Sequence, residues 1–182
     1  MKRLILPFLL VVAFVLIAGC GGAGPGAAGS GPQVAAPGEI ADIDDVIGAL
    51  QNPETWVVID VRTHEEWSGE TRLPNAFGSG RIKGTINVDR WALTCDEDNL
   101  ISQEEILEMF SFIGSRKVIV YCHAGLRSAF VQAVLLDLGF HVYNYEGSWV
   151  DWSRAASVAE GGPNSIVLSY TEVWTDNEGV IS

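Results

Sequence analysis

Three things are scarce in this chain of 182 residues: cysteine, histidine and positive charge. Three cysteines with no C-x-x-C pair, and three histidines (His64, His123, His141) far apart in the sequence, give no spacing that would close a zinc or iron–sulfur site. No metal and no cofactor is therefore expected. Lys and Arg total 11 against 23 Asp and Glu, a formal charge of -12 that becomes -14 when Lys2 and Arg3 are set aside with the leader. So acidic a chain has no electrostatic footprint for nucleic acid. Also missing are an internal repeat and any apolar run of about 20 residues, the length a spanning helix needs. What remains, 48% hydrophobic and 19% charged, is enough for one globular core of ordinary size.

The longest apolar run is residues 4–18, behind the basic Lys2 and Arg3 and interrupted only by Pro7. Its length suits the core of a secretory signal, and no basic stop-transfer cluster follows it. The run ends Leu16-Ile17-Ala18-Gly19-Cys20, which resembles a bacterial lipobox and so implies cleavage after residue 19 and a lipid on Cys20. Residues 20–38 are mostly Gly, Ala and Pro, a composition that buries nothing and acts as a tether spanning roughly 25 Å. The expected organisation is a signal peptide over 1–19, a tether over 20–38 and a globular part over 39–182. The expected place is outside the cytoplasm on a membrane, at the periplasmic face of the outer membrane if the cell has two, because Gly21 is not the Asp that often retains lipoproteins at the inner one.

Strand and helix signals alternate along the globular part, which predicts an α/β fold with a mainly parallel sheet covered by helices on both faces. Helices are expected from Asp42 to about Gln51, after Thr63 and after Ser102, the last two from Thr/Ser-x-x-Glu capping boxes, then over 126–138 up to Gly139 and over 149–156. Ile106, Phe110 and Ile113 are expected on one buried face. Nearly all-apolar strands are expected at 56–61, 85–88, 117–121 and 141–145. A Gly-, Pro- and Asn-rich loop covers 68–80. In the tail, 166–170 and Val173-Trp174 are read either as an edge hairpin or as a segment lying across the surface.

The chemistry concentrates at 118–128, where an apolar strand runs into Cys122-His123-Ala124-Gly125-Leu126-Arg127-Ser128 and then a helix. At such a junction loop N–H groups and the positive helix end converge on the sulfur, which lowers a thiol pKa from about 8.5 to roughly 3.5–7.5. Gly125 lets the backbone bend into a cradle, Arg127 can brace that cradle or hold an anion, and Ser128 can cap the helix or donate to the sulfur. Cys122 is thus the candidate nucleophile and 123–128 its anion-binding loop.

Cys122-x-x-Gly125-x-Arg127-Ser128 resembles the active-site loop of the rhodanese family, in particular its single-domain thiosulfate sulfurtransferases. Three further segments are similar in order and spacing: Asp60-Val61-Arg62 with Glu65-Glu66-Trp67, residues 80–87 and residues 147–152. The similarity spans about 42–156 and leaves 157–182 as an extension. Arg81 and Lys83 stand where the family usually has His and Pro, and the 68–80 loop is longer than typical. The resemblance implies a three-layer rhodanese-like domain. It also implies a two-step transfer in which the Cys122 thiolate takes a sulfane sulfur from a small anion such as thiosulfate and passes the resulting persulfide to a thiol or other thiophilic acceptor.

Asp60 and Arg62, at the carboxyl end of a strand, are expected to support the site structurally, with Arg62 and Glu66 as a partly exposed ion pair and Asp60 bracing a loop. Arg62, Arg81 and Arg90 are expected helpers to Arg127 at a positive mouth. Cys95 lies in a loop expected on the same sheet edge as Cys122, either as a packed lone thiol or as a second, resolving thiol. Trp149 and Trp152 read as core or pocket wall. Two rival readings remain: a noncatalytic or redox-regulated binding module of the same fold at a membrane, and a cysteine phosphatase or arsenate reductase. The second conflicts with a Cys-to-Arg loop of six residues rather than seven.

Overall fold

The structure is a computed structural model that describes residues 38–71, 78–96, 99–158 and 165–173. The leader, Cys20 and the tether through residue 37, the middle of the 68–80 loop, and Trp174 onward lie outside the described residues.

In chain order the elements are β1 (Glu39–Ala41), α1 (Ile43–Gln51), β2 (Trp56–Asp60), α2 (His64–Ser68), β3 (Gly80–Ile82) and β4 (Ile86–Asn87). After a 3-10 turn at Arg90–Leu93 come α3 (Gln103–Met109), β5 (Lys117–Tyr121), α4 (Leu126–Asp137), β6 (Val142–Tyr145), α5 (Ser148–Ser157), α6 (Ser165–Ser169) and β7 (Thr171–Val173). Three helices start where a short polar side chain can accept an orphan N–H. Asp42, Thr63 and Ser102 each cap their helix while an acid three residues on, Asp45, Glu66 or Glu105, reaches back to the cap's own N–H.

Strands β1, β6, β5, β2 and β4 form one sheet in that order, every pairing parallel. The all-apolar strands follow from cover on both sides. On one face Val57, Ile59, Val118, Val120 and Cys122 pack with Ile106, Phe110, Val131 and Leu135. On the other Val58, Ile119 and Tyr121 pack with Val46 and Ala49 of α1, Trp149 and Trp152 of α5 and Val167 of α6. The period-2 alternation of β2 and β5 thus divides the core into two layers, and Cys122 falls in the α3–α4 layer.

The α3 periodicity is satisfied differently from the expectation. The helix stops at Met109, and Phe110 and Ile113 reach the same buried layer through a 3-10 turn at Ser111–Ile113. Among the described residues, the tail adds no strand to the main sheet. β7 instead pairs antiparallel with β3, Gly80 opposite Val173, as a separate two-stranded sheet. Gly80 makes this close approach possible, since a Cβ there would lie 2.2 Å from the Glu172 carbonyl oxygen.

Candidate active site

The residues with chemistry gather at the carboxyl edge of the parallel sheet, where β2 and β5 release their chains side by side. Cys122 follows β5 directly and is 1% exposed. Its Sγ lies 3.2 Å from the Gly125 amide nitrogen, which donates to it, 3.5 Å from Ser128 Oγ and 3.9 Å from Ser148 Oγ. Burial alone pushes the thiol up. The Ser128 hydroxyl, the Ser128 and Ala124 backbone N–H groups and the Arg127 charge outweigh it and hold the thiol below its ordinary value.

The cradle depends on Gly125. Its φ of 90° is left-handed, and a Cβ there would stand 2.7 Å from the Glu146 carbonyl oxygen. Its own carbonyl caps α4, accepting from the Ala129 N–H and, at 2.9 Å, from the Ser128 hydroxyl. From the other side the first turn of α5 holds the loop: Trp149 N–H donates to the Cys122 carbonyl and Val150 N–H to the His123 carbonyl, both at 3.1 Å. Leu126, 86% exposed, stands at the rim of the loop.

The charged partners differ from those expected. Arg62 pairs with Asp60, not Glu66. Arg62 Nη2 lies 2.7 Å from Asp60 Oδ2, Nε lies 3.0 Å from both carboxylate oxygens, and Nη2 also donates to the Gly80 carbonyl at 2.9 Å. The pair is 2% and 0% exposed and packs by Tyr121 and Trp149, with the guanidinium 5.1 Å from the Trp149 ring centre. Arg62 is thereby turned into the core and adds no positive charge to the mouth, which corrects that expectation. Burial pulls the guanidinium down, but Asp60 more than restores it, so Arg62 stays charged.

Glu66 instead takes Arg127. Both terminal nitrogens of Arg127 bond its carboxylate, Nη2 to Oε1 at 2.7 Å and Nη1 to Oε2. Burial raises the Glu66 carboxyl, and Arg127 together with the Thr63 backbone N–H reverses this and leaves it lowered. Glu66, expected as the ion-pair partner of Arg62, is thus a site residue whose place beside the cysteine loop the residue pattern does not show. Ser148, 0% exposed, is another.

Arg81 is fixed by Glu172 of β7, Nε to Oε2 at 2.8 Å, with its guanidinium 3.9 Å from the Trp67 ring centre. The Arg90 guanidinium lies between the rings of Trp91 and Phe130, 3.8 and 4.3 Å from their centres. Cys95 is an exposed free thiol whose Sγ faces the carbonyls of Leu100 and Asn99 at 3.5 and 3.6 Å, with no bond to Cys122. Trp149 and Trp152 are core residues at 2% and 0% exposure.

A parallel α/β sheet with a cysteine loop at its carboxyl edge defines the class of fold, and the comparisons give it a family. The rhodanese-like domain model matches residues 43–155, and the chain belongs to the rhodanese family. It is 30% identical over 135 residues to the thiosulfate sulfurtransferase of Corynebacterium glutamicum, covering 69% of this chain and 45% of that protein. It is 34% identical over 113 residues to the sulfur carrier protein TtuD of Thermus thermophilus, covering 56% of this chain and 39% of that one. The chain thus spans less than half the length of either relative. Among solved structures, the anaerobic ergothioneine biosynthesis enzyme from Chlorobium limicola superposes with a TM-score of 0.59 at 24% identity, covering 63% of this chain and 30% of that one, a likeness of fold.

Proposed function

We propose that the protein is a sulfurtransferase that carries a sulfane sulfur on Cys122. The observation behind this reading is the buried Cys122 sulfur set against the Gly125 N–H at 3.2 Å, with its thiol held below the ordinary value. In the first step the Cys122 thiolate attacks the outer sulfur of a donor such as thiosulfate. A Cys–S–S bond forms, the donor's sulfur–sulfur bond breaks, and sulfite leaves with that bond's electron pair. The persulfide's terminal sulfur carries the negative charge, and the N–H groups of the loop stabilise it in place of a general base. In the second step an acceptor thiolate attacks that terminal sulfur, leaves with it as a new persulfide and returns Cys122 to the thiolate. The leader sequence supports a further part of the same reading: the domain works outside the cytoplasm, held to a membrane through lipid on Cys20.

The test is the mass of the Cys122 peptide after the purified chain is incubated with thiosulfate, in wild type and Cys122→Ser, with and without reductant. One added sulfur atom on the wild-type peptide alone, removed by reductant, is the expected result. No added sulfur on a chain whose Cys122 is a free thiol would count against thiosulfate as donor and favour the docking-module reading.

A further inference from the structure

Ser148 has the one left-handed backbone among the described non-glycine residues, with φ 52°. It is fully buried, and it opens α5 against the strand end that carries the nucleophile. Bulky or branched side chains are disfavoured there and serine is tolerated poorly, so the conformation needs something that holds it.

The ladder between β5 and β6 shows what that is. Val118 is in register with Val142, Ile119 with Tyr143 and Val120 with Asn144. The Val118 N–H donates to the His141 carbonyl, one residue before its register partner. Carried two steps further, this parallel pattern puts the Tyr145 carbonyl opposite the Cys122 N–H. That direct rung is not made. The Ser148 hydroxyl stands in it, accepting from the Cys122 N–H at 3.1 Å and donating to the Tyr145 carbonyl at 2.8 Å. A hydroxyl inserted into a rung holds the strands apart there, at the point where the cysteine loop leaves the sheet. Its one proton goes to Tyr145, and the sulfur lies 3.9 Å away, so Ser148 acts on the sulfur through the Cys122 backbone.

Accepting the reading of Cys122 as the sulfur-carrying nucleophile, we propose that Ser148 is its positioning residue: the hydroxyl occupies the last β5–β6 rung and so sets the strand opening that seats the Cys122 sulfur against the Gly125 N–H. Without the hydroxyl, the Cys122 N–H and the Tyr145 carbonyl are left facing each other. They then either stay unpaired or close into a direct rung, and closure draws Cys122 back from its cradle.

The experiment uses the full chain in detergent, as wild type, Ser148→Gly and Ser148→Ala. Gly suits the left-handed φ and keeps the fold, whereas Ala removes the hydroxyl but keeps the side-chain penalty. Iodoacetamide alkylation of the Cys122 peptide is followed against pH by mass spectrometry, alongside thermal unfolding and sulfur loading from thiosulfate. In both variants the alkylation midpoint is expected to rise toward the ordinary thiol value of about 8.5, and loading at neutral pH to fall about tenfold for each unit by which the midpoint passes above the assay pH. Ser148→Gly should still melt cooperatively within a few degrees of wild type.

A merely structural serine would move the melting temperature and leave the midpoint in place. A wild-type midpoint retained in either folded variant overturns the proposal, and so does a wild-type midpoint already at the ordinary value. Alkylation needs no sulfur donor. A wild type that fails to load sulfur therefore counts against the sulfurtransferase reading alone, and the midpoints still decide the role of Ser148.

Discussion

Arg127 and Glu66 are joined through both terminal guanidinium nitrogens and both carboxylate oxygens, and the same carboxylate closes the capping box of α2 by accepting from the Thr63 N–H at 3.1 Å. One acid therefore starts a helix and holds the loop's arginine. Arg127 is 24% exposed while Glu66 is 6% exposed, so solvent and any anionic donor meet the arginine first. With the carboxylate in place, the Arg127 charge is largely compensated beside the proposed anion cradle. Glu66→Gln keeps a residue that can still cap but removes the competing charge. The KM for thiosulfate is expected to fall about fivefold, the ~1 kcal/mol of a unit charge about 4 Å away at the dielectric of water. Steady-state kinetics would read it. A KM that rises instead would make Glu66 an orienting group whose loss lets Arg127 swing away.

The same pair makes stability depend on pH in a definite direction. The Glu66 carboxyl is lowered in the folded chain, so the folded state holds its proton less tightly than the unfolded state. Its stabilising contribution is fully present above the unfolded carboxylate value of about 4.3, and is lost as pH falls through the lower folded value. Melting temperatures between pH 7 and pH 3 should drop more steeply in wild type than in Glu66→Gln, because the variant has no proton to take up at this position. Parallel curves would place the acid sensitivity in other carboxylates.

Gly125→Ala tests the cradle by steric means. The added methyl carbon would lie 2.7 Å from a backbone oxygen of Glu146, and a left-handed φ of 90° strains any side chain. Neither atom belongs to a flexible side chain, so the loop itself must shift. A loss of ~1–3 kcal/mol in stability is expected from the backbone conformation. Sulfur loading on Cys122 should become undetectable in protein that still melts cooperatively, because the shifted loop carries the Gly125 N–H, one of the donors that meet the sulfur, out of place.

Much of this was legible in the sequence, for local reasons. Capping boxes are set by residues three apart, and Thr63 and Ser102 start their helices as their spacing predicts. Continuous apolar runs gave β2 and β5, and the strand-to-helix passage through Cys122 and Gly125 gave the cradle. The Arg62 partner was misread for an equally local reason. Arg62 and Glu66 are four apart, the spacing of a helical pair, but the chain is extended at Thr63 and Arg62 precedes the helix, so its side chain turns back to Asp60. β1 and β3 have three residues each, too few to show a period. β3 also finds its partner some ninety residues away, a pairing no local pattern encodes. The Ser148 rung depends on a backbone angle and a strand splay together, and neither is written in residue types.

The α6–β7 segment follows the part of the chain that matches the family, and its attachment to the core can be tested without touching the cysteine loop. Trp152, 0% exposed, donates its indole N–H to Thr171 Oγ1 at 2.9 Å, and that hydroxyl in turn donates to the Val167 carbonyl at 2.7 Å. Thr171→Val keeps the shape of the side chain but removes the acceptor, leaving a buried indole N–H unpaired, an imbalance of ~1–3 kcal/mol. For a domain of this size the melting temperature should fall by roughly 3–10 °C. Sulfur loading on Cys122 should remain within about twofold of wild type, since an exchange far from the chemistry that leaves the fold intact should shift transition-state energy by well under 1 kcal/mol. Differential scanning calorimetry paired with the loading assay reads both quantities. A large fall in loading without a fall in melting temperature would mean that β7, through β3 and Gly80, shapes the site and does not merely fasten the tail.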